Sequence, residues 1–278
     1  MQLPLFRDES PAYGVKPMKI YTKETLVEAL RGISKQGWIP NARPRNVGGI
    51  GNTLEDLLGI EENNLPIPNA AEWELKCQRA GSSSLTTLFH MEPSPRAFRF
   101  VPRVLLPCYG WPHQEADIKY PENEMSFRQT INARARSDRG FTIAIDREGR
   151  KVLLSFDATA VDARHSEWLA RVEQQVGLDE LEPQPYWGFD DLFHKAGTKL
   201  MNCFLVEAEV RREQGRQFFH YNRILVLEKL SLEKFLSALA HGSLYVDFDA
   251  RTGHNHGTKF RSRRNKLPSL YARVEEVT

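Results

Sequence analysis

Asn52–Arg79 reads NTLEDLLGIEENNLPIPNAAEWELKCQR, and the alternation in its last third is the part from which the rest can be read. From Glu72 to Gln78, polar and apolar residues alternate with the period of a strand. Glu72, Glu74, Lys76 and Gln78 therefore share one face, and Trp73, Leu75 and Cys77 the other. A carboxylate beside an ammonium on one strand face is often no more than an exposed ion pair. It is also the pair that phosphodiester hydrolysis uses: the carboxylate holds a divalent cation at the phosphate, and the lysine positions or deprotonates the attacking water. Glu55 is a second candidate carboxylate, although it stands three residues after Asn52, the spacing of a capping box, and can serve its own helix. Glu61 to Asn69 has three asparagines and two prolines and reads as turns.

Working outward, Thr22 to Gly37 is expected to be helical, with Leu26, Leu30 and Ile33 on one face, Thr22 as cap and Gly37 as terminator. Pro40 to Gly51 reads as a loop and Asn52 to Leu58 as a short helix closed by Gly59. Strands are expected at Leu85–Phe89, Phe98–Leu106, Phe141–Ile145 and Lys151–Phe156, the last two joined as a hairpin. Helices follow at His165–Val176 and Phe189–Ala196, then a hairpin of Met201–Arg211 and Gln217–Leu227. A helix Ser231–Ala240 precedes a strand Ser243–Asp249 that leads into a basic loop. This order is not a regular βαβ repeat and predicts an α/β (α+β) mixed sheet flanked by helices.

The chain has 278 residues and a net charge of only +2, so the distribution of charge carries more information than its sum. From Arg251 to Lys266 there are six basic residues and no acidic one. A second basic stretch holds Arg128, Arg134, Arg136 and Arg139. Localised positive segments on a balanced chain suit a polyanion gripped on one face, and each alone also suits a solvated surface. Cys77, Cys108 and Cys203 form no CxxC pair, which argues against a zinc knuckle or a disulfide framework and points to a reducing, cytoplasmic setting. No apolar run is long enough to cross a membrane, and the first residues do not read as a signal peptide.

Taken in order, Gly51 to Glu55, Gly59-Ile60 with Glu62 to Asn64, Pro68-Asn69 and Trp73 to Lys76 strongly resemble the MvaI/BcnI family of restriction endonucleases, relatives of the mismatch-repair nicking enzyme MutH. Ser84 to Pro93 looks like the family's next strand. Asp247 to Arg251, followed by Asn255 to Arg261, looks like its recognition region. The resemblance implies a restriction-endonuclease-like mixed sheet with a recognition lobe forming a DNA cleft. It implies an N-terminal arm (1–17), a nuclease core (18–230) with a candidate specificity insertion at 112–185, and a DNA-recognition region (231–278). It further implies magnesium-dependent cleavage of double-stranded DNA by a monomer, with a cognate methyltransferase in the same system. Residue by residue, Asn69 falls at the principal metal-ligand position, Glu74 at the second, Lys76 at the catalytic lysine and Glu55 at an auxiliary acid.

The family has an aspartate where this chain has Asn69, and a neutral carbonyl lacks the charge that a hard cation selects. The intact remainder of the site favours a replaced aspartate; a naturally weakened relative is the other explanation. Arg251, His254, His256, Lys259 and Arg261 are expected to include base readers, since arginine can read guanine edges bidentately. Arg263 and Arg264 are expected on phosphates, and Arg43 and Arg45 near the cleaved backbone. The alternative activities are a MutH-like nicking enzyme and a sequence-specific DNA-binding protein without catalysis.

Overall fold

The computed structural model describes residues 21–44, 46, 48–60 and 72–278. Helix α1 (Lys23–Lys35) starts at Thr22, whose hydroxyl accepts from the Thr25 N–H, and buries Leu26, Leu30 and Ile33. After the short β1 (Ile39–Pro40), helix α2 (Gly49–Leu58) begins before Asn52, with Gly48 at its cap and Gly59 ending it in the left-handed region at φ 68°. Asn52 thus lies inside the helix, and the capping-box alternative for Glu55 falls away.

Strands β2 (Glu74–Arg79) and β3 (Leu85–His90) follow. Phe98 to Leu106, expected as a strand, is helical instead: a π-helical turn Val101–Leu105 runs into α3 (Leu106–Tyr109). Val101, Leu105, Leu106 and Tyr109 are buried at helical intervals. Pro102 and Pro107 would break a strand ladder but fit the first turns of helices, where N–H groups need no partner.

The middle of the chain forms β4 (Trp111–Pro112), β5 (Met125–Ile131), the hairpin β6 (Arg139–Asp146) and β7 (Lys151–Val161), α4 (Ser166–Val176), β8 (Tyr186–Gly188) and α5 (Phe189–Leu200). The remainder forms the long hairpin β9 (Asn202–Glu213) and β10 (Arg216–Leu230), then α6 (Leu232–Ala240), β11 (Leu244–Arg251), β12 (His254–Asn255), β13 (Lys259–Arg263) and β14 (Tyr271–Glu276). The basic run is therefore not a plain loop. It folds back on β11 as two further strands.

Three sheets result. The first runs β1-β10-β9-β2, with β14 also on β10. Here β2 lies parallel to β9, placing Glu74 opposite Cys203, Lys76 opposite Leu205 and Gln78 opposite Glu207. One face of this sheet, with Trp73, Leu75, Phe204 and Val206, is covered by the apolar stripes of α1 and α2. Trp73 meets Phe204 edge-on at 4.9 Å, a contact worth about 0.5–1.5 kcal/mol beyond its buried area. The other face, with Cys203, Leu205, Leu225 and Leu227, joins a larger core.

That larger core also lies under the second sheet, β3-β13-β11-β5-β4 with β12 on β11, and the third, β6-β7-β8. Alternation along β11 sends Val246, Phe248 and Ala250 into this core and leaves Asp247 and Asp249 on a polar face. The second sheet takes strands from residues 85–131 as well as 244–263.

Candidate active site and nucleic-acid interface

Glu74 opens β2 on the face away from α2 and is 1% exposed. Its Oε1 lies 2.6 Å from Lys76 Nζ and 3.7 Å from Lys199 Nζ, while its buried Oε2 has no hydrogen-bond partner among the described residues. Burying a lone carboxylate costs several kcal/mol, which the neighbouring lysines help to offset. The orphaned oxygen is spare acceptor capacity, and a cation would satisfy it. Tyr271 and Cys203 flank the same spot. Burial pushes the Cys203 thiol up to about 12 and the Tyr271 phenol well above its usual value, and the Glu74 charge adds to both.

Of the four residues expected to act together, Glu74 and Lys76 are joined as read from the sequence. Glu55 is half-buried on α2, which packs on the opposite face of β2. Burial pushes the Cys77 thiol up, and Glu55 is close enough for its charge to contribute. Asn69, the turn-rich segment around it, Arg45 and the 1–17 arm lie outside the described residues. Among the described residues, no group of three or more acidic, His or Cys side chains forms a metal cluster. Of the two expected ligands, Glu74 is the one that lies within the described residues. Lys199 was missed because α5 was expected to end at Ala196. Leu192, Ala196 and Leu200 are buried at four-residue spacing, and that pattern already carries the helix through Lys199.

Arg43, expected at the DNA backbone, grips Asp56 with two bonds, Nη2 to Oδ1 at 2.6 Å and Nε to Oδ2 at 3.1 Å, and so ties its loop to α2. Arg136 donates to Gly140 O and Ser155 Oγ, and the Arg139 guanidinium lies 4.0 Å over the Trp111 ring, so these two of the second basic stretch are built into the fold.

The polar face of the second sheet gathers most of the expected base readers. Lys259 and Arg261 lie on β13, and Asp247, Asp249 and Arg251 on β11. Arg128, on neighbouring β5, joins them. Asp249 accepts from Lys259 Nζ at 2.7 Å and pairs with Arg128 at 2.9 Å; Asp247 pairs with Arg261 at 3.1 Å. Arg251 pairs with the buried Glu124 at 2.9 Å and lies over Tyr120 at 4.5 Å. Burial alone would raise Asp249, but the Lys259 hydrogen bond and the charges of Lys259 and Arg128 hold it below the usual carboxylate range.

His254 and His256 are exposed at the turn beyond β11 with rings stacked 5.6 Å apart. Gly257 keeps φ +82° there, and a Cβ on it would come within 3.3 Å of the His90 ring. Arg263 leans on Tyr245 Oη at 3.1 Å. Arg264 turns away from this face and lines a different cavity with Gln78, Glu207 and Arg223.

A mixed sheet with a buried carboxylate–lysine pair on its end strand, beside a second sheet with a cationic polar face, describes a nuclease of the restriction-endonuclease type. The chain belongs to the MvaI/BcnI restriction endonuclease family, whose model matches residues 27–271. It is a type II site-specific endonuclease by that membership. It is similar to restriction endonuclease MvaI solved with its cognate DNA substrate, at 25% identity over 93% of this chain and 100% of that one, with a TM-score of 0.71. It is also similar to MvaI solved in the absence of DNA, at 26% identity over 94% and 100% of the two chains, with a TM-score of 0.56. No curated protein sequence matches it. No helix among the described residues is long and apolar enough to cross a membrane.

Proposed function

We propose that this chain cleaves the backbone of double-stranded DNA at a short recognition sequence, using a divalent cation held by Glu74 and the residue at position 69. The observation that carries this reading is the buried Glu74 carboxylate, with Lys76 on one oxygen and, among the described residues, no partner on the other. Oxygen donors suit magnesium. When bound, such an ion stabilises charge on the phosphate and lowers the pKa of water. Lys76, 2.6 Å from Glu74, is placed to hold the attacking water or take its proton.

Asn69 supplies a neutral oxygen in place of a charged one, so the chain is expected to bind duplex and cut it slowly. Base reading falls to Arg251, His254, His256, Lys259 and Arg261. Arg45 and Arg263 serve the backbone, whereas Arg43 is committed to Asp56 and Arg264 faces a different cavity. The core at 18–230 supplies the chemistry and residues 231–278 most of the recognition. The relative solved with its cognate DNA supports duplex DNA as the ligand. The chain acts as a monomer, and a methyltransferase of the same specificity protects the host's own sites.

The test is Asn69→Asp with supercoiled plasmid and magnesium. Linear product supports the proposal, and sequencing the ends reads out the site. Circles that stay nicked point to a MutH-like nicking enzyme. Asn69 itself favours a second reading, a DNA-binding protein without catalysis. Tight specific binding with no cleavage after the reversion would establish it and overturn the first.

A further inference from the structure

Between the catalytic strand and the polar sheet face lies a cavity of about 760 Å³ whose lining includes His90, Glu92, Arg96, His194, Lys195 and Thr198. His90 ends β3 and is paired in register with Lys259 of the polar face. Lys195 lies on α5, one helical turn before Lys199, which is paired with Glu74. One wall of the cavity therefore leads to the candidate active site and the other to the candidate base readers.

One of its acids is already engaged. Glu92 Oε1 accepts from the Thr258 N–H at 2.9 Å and Asn255 Nδ2 at 3.2 Å, and its Oε2 from Thr258 Oγ1 at 3.1 Å, which pins the recognition turn. Asp191, also in the lining, stands in the first turn of α5, where a negative charge offsets the helix dipole. The cations are not engaged: among the described residues, neither Arg96 nor Lys195 has an acidic partner within 4.0 Å. This contrasts with Arg128, Arg251, Lys259 and Arg261 on the polar face, each of which is paired. Burial, and then the charges of Lys259, Lys195 and Lys199, lower the pKa of His90, so at neutral pH it offers an N–H rather than a charge.

We propose that this cavity holds the phosphodiester backbone of bound duplex, with Arg96 and Lys195 as its phosphate contacts, and so sets the distance between the sequence being read and the bond being cut. The inference rests on the DNA-cleaving function proposed above. Phosphate contacts of this kind position a duplex without reading its sequence, and each releases counterions.

The experiment measures binding of the full chain to a 30-base-pair duplex of random sequence, in EDTA, across a series of sodium chloride concentrations. Lys195→Ala should lower the slope of log affinity against log salt by about 0.9, and Arg96→Ala with Lys195→Ala by about 1.8. Arg147→Ala, which removes an exposed cation already paired with Glu233, is the comparison and should leave the slope in place. Unchanged slopes in variants that melt like the parent would overturn this inference alone. If the parent chain binds no duplex at any salt concentration, the reading of the protein as a DNA-cutting enzyme fails first.

Discussion

The end of β2 and the polar face of the second sheet handle charge in opposite ways. On β2, one buried carboxylate faces two lysines and, among the described residues, still has an oxygen unsatisfied. On the polar face, Arg128 and Lys259 share Asp249, Arg261 has Asp247 and Arg251 has Glu124. The first arrangement keeps capacity in reserve for a ligand that arrives with charge. The second uses up its capacity in advance, so each cationic head is oriented before DNA arrives and non-specific attraction to phosphate is damped. The carboxylates that do the orienting are themselves acceptors suited to cytosine amino groups. The proposed catalytic site and the proposed reading surface, built from the same residue types, thus differ in whether their charges are balanced.

The sharpest break of this contrast is Glu74→Gln in the Asn69→Asp background. Removing the reserve charge should cut plasmid cleavage by about 10³-fold, roughly 4 kcal/mol of transition-state stabilisation, with duplex binding in EDTA retained. Equal loss of binding and cleavage would move Glu74 from chemistry to structure. Next in size, Asp249→Asn or Asp247→Asn should loosen the cations they orient and relax discrimination at one position of the site by about tenfold to a hundredfold. The distribution of cut ends from a random plasmid library reads this directly, and an unchanged distribution would refute pre-orientation.

A smaller effect is expected for Lys199→Met. Its 3.7 Å pairing with Glu74 is worth about 0.5–1 kcal/mol at a partly exposed lysine, so half-saturation by magnesium should fall about threefold. A rise instead would mean that Lys199 supports cation binding rather than competing with it.

The smallest effect is on pH stability. Asp249 is held below its usual value of 3.8, so the stability it contributes is present above that pH and is lost as pH falls through the lower folded value. The difference in melting temperature between parent and Asp249→Asn should therefore shrink below about pH 4. A constant difference down to pH 2 would show that the pairs on this face do not titrate as a charge set.

Local signals served well where one element's own period or cap was enough. Thr22 and Ser231 cap their helices, Gly59 terminates α2, and the Gln214-Gly215 turn joins β9 and β10. They failed where packing outweighed composition. Phe98 to Leu106 has the aromatic and β-branched residues of a strand, yet its prolines and its burial at four-residue spacing make it helical. Strand β5 carried no sequence expectation because about half of its residues are polar, serving the outer face of a sheet in which its long partner, β11, lies more than a hundred residues away.

The order of residues by itself determined the alternation of β2, hence the shared face of Glu74 and Lys76, and the family to which the chain belongs. Side-chain period is a property of the strand and needs no neighbour. Only the tertiary structure decided that Lys199 meets Glu74, that Arg43 holds Asp56, and that Arg128 from β5 completes the charge pattern on β11 and β13. Those pairings are set by which strands and helices pack together, which the period and caps of a single element do not encode.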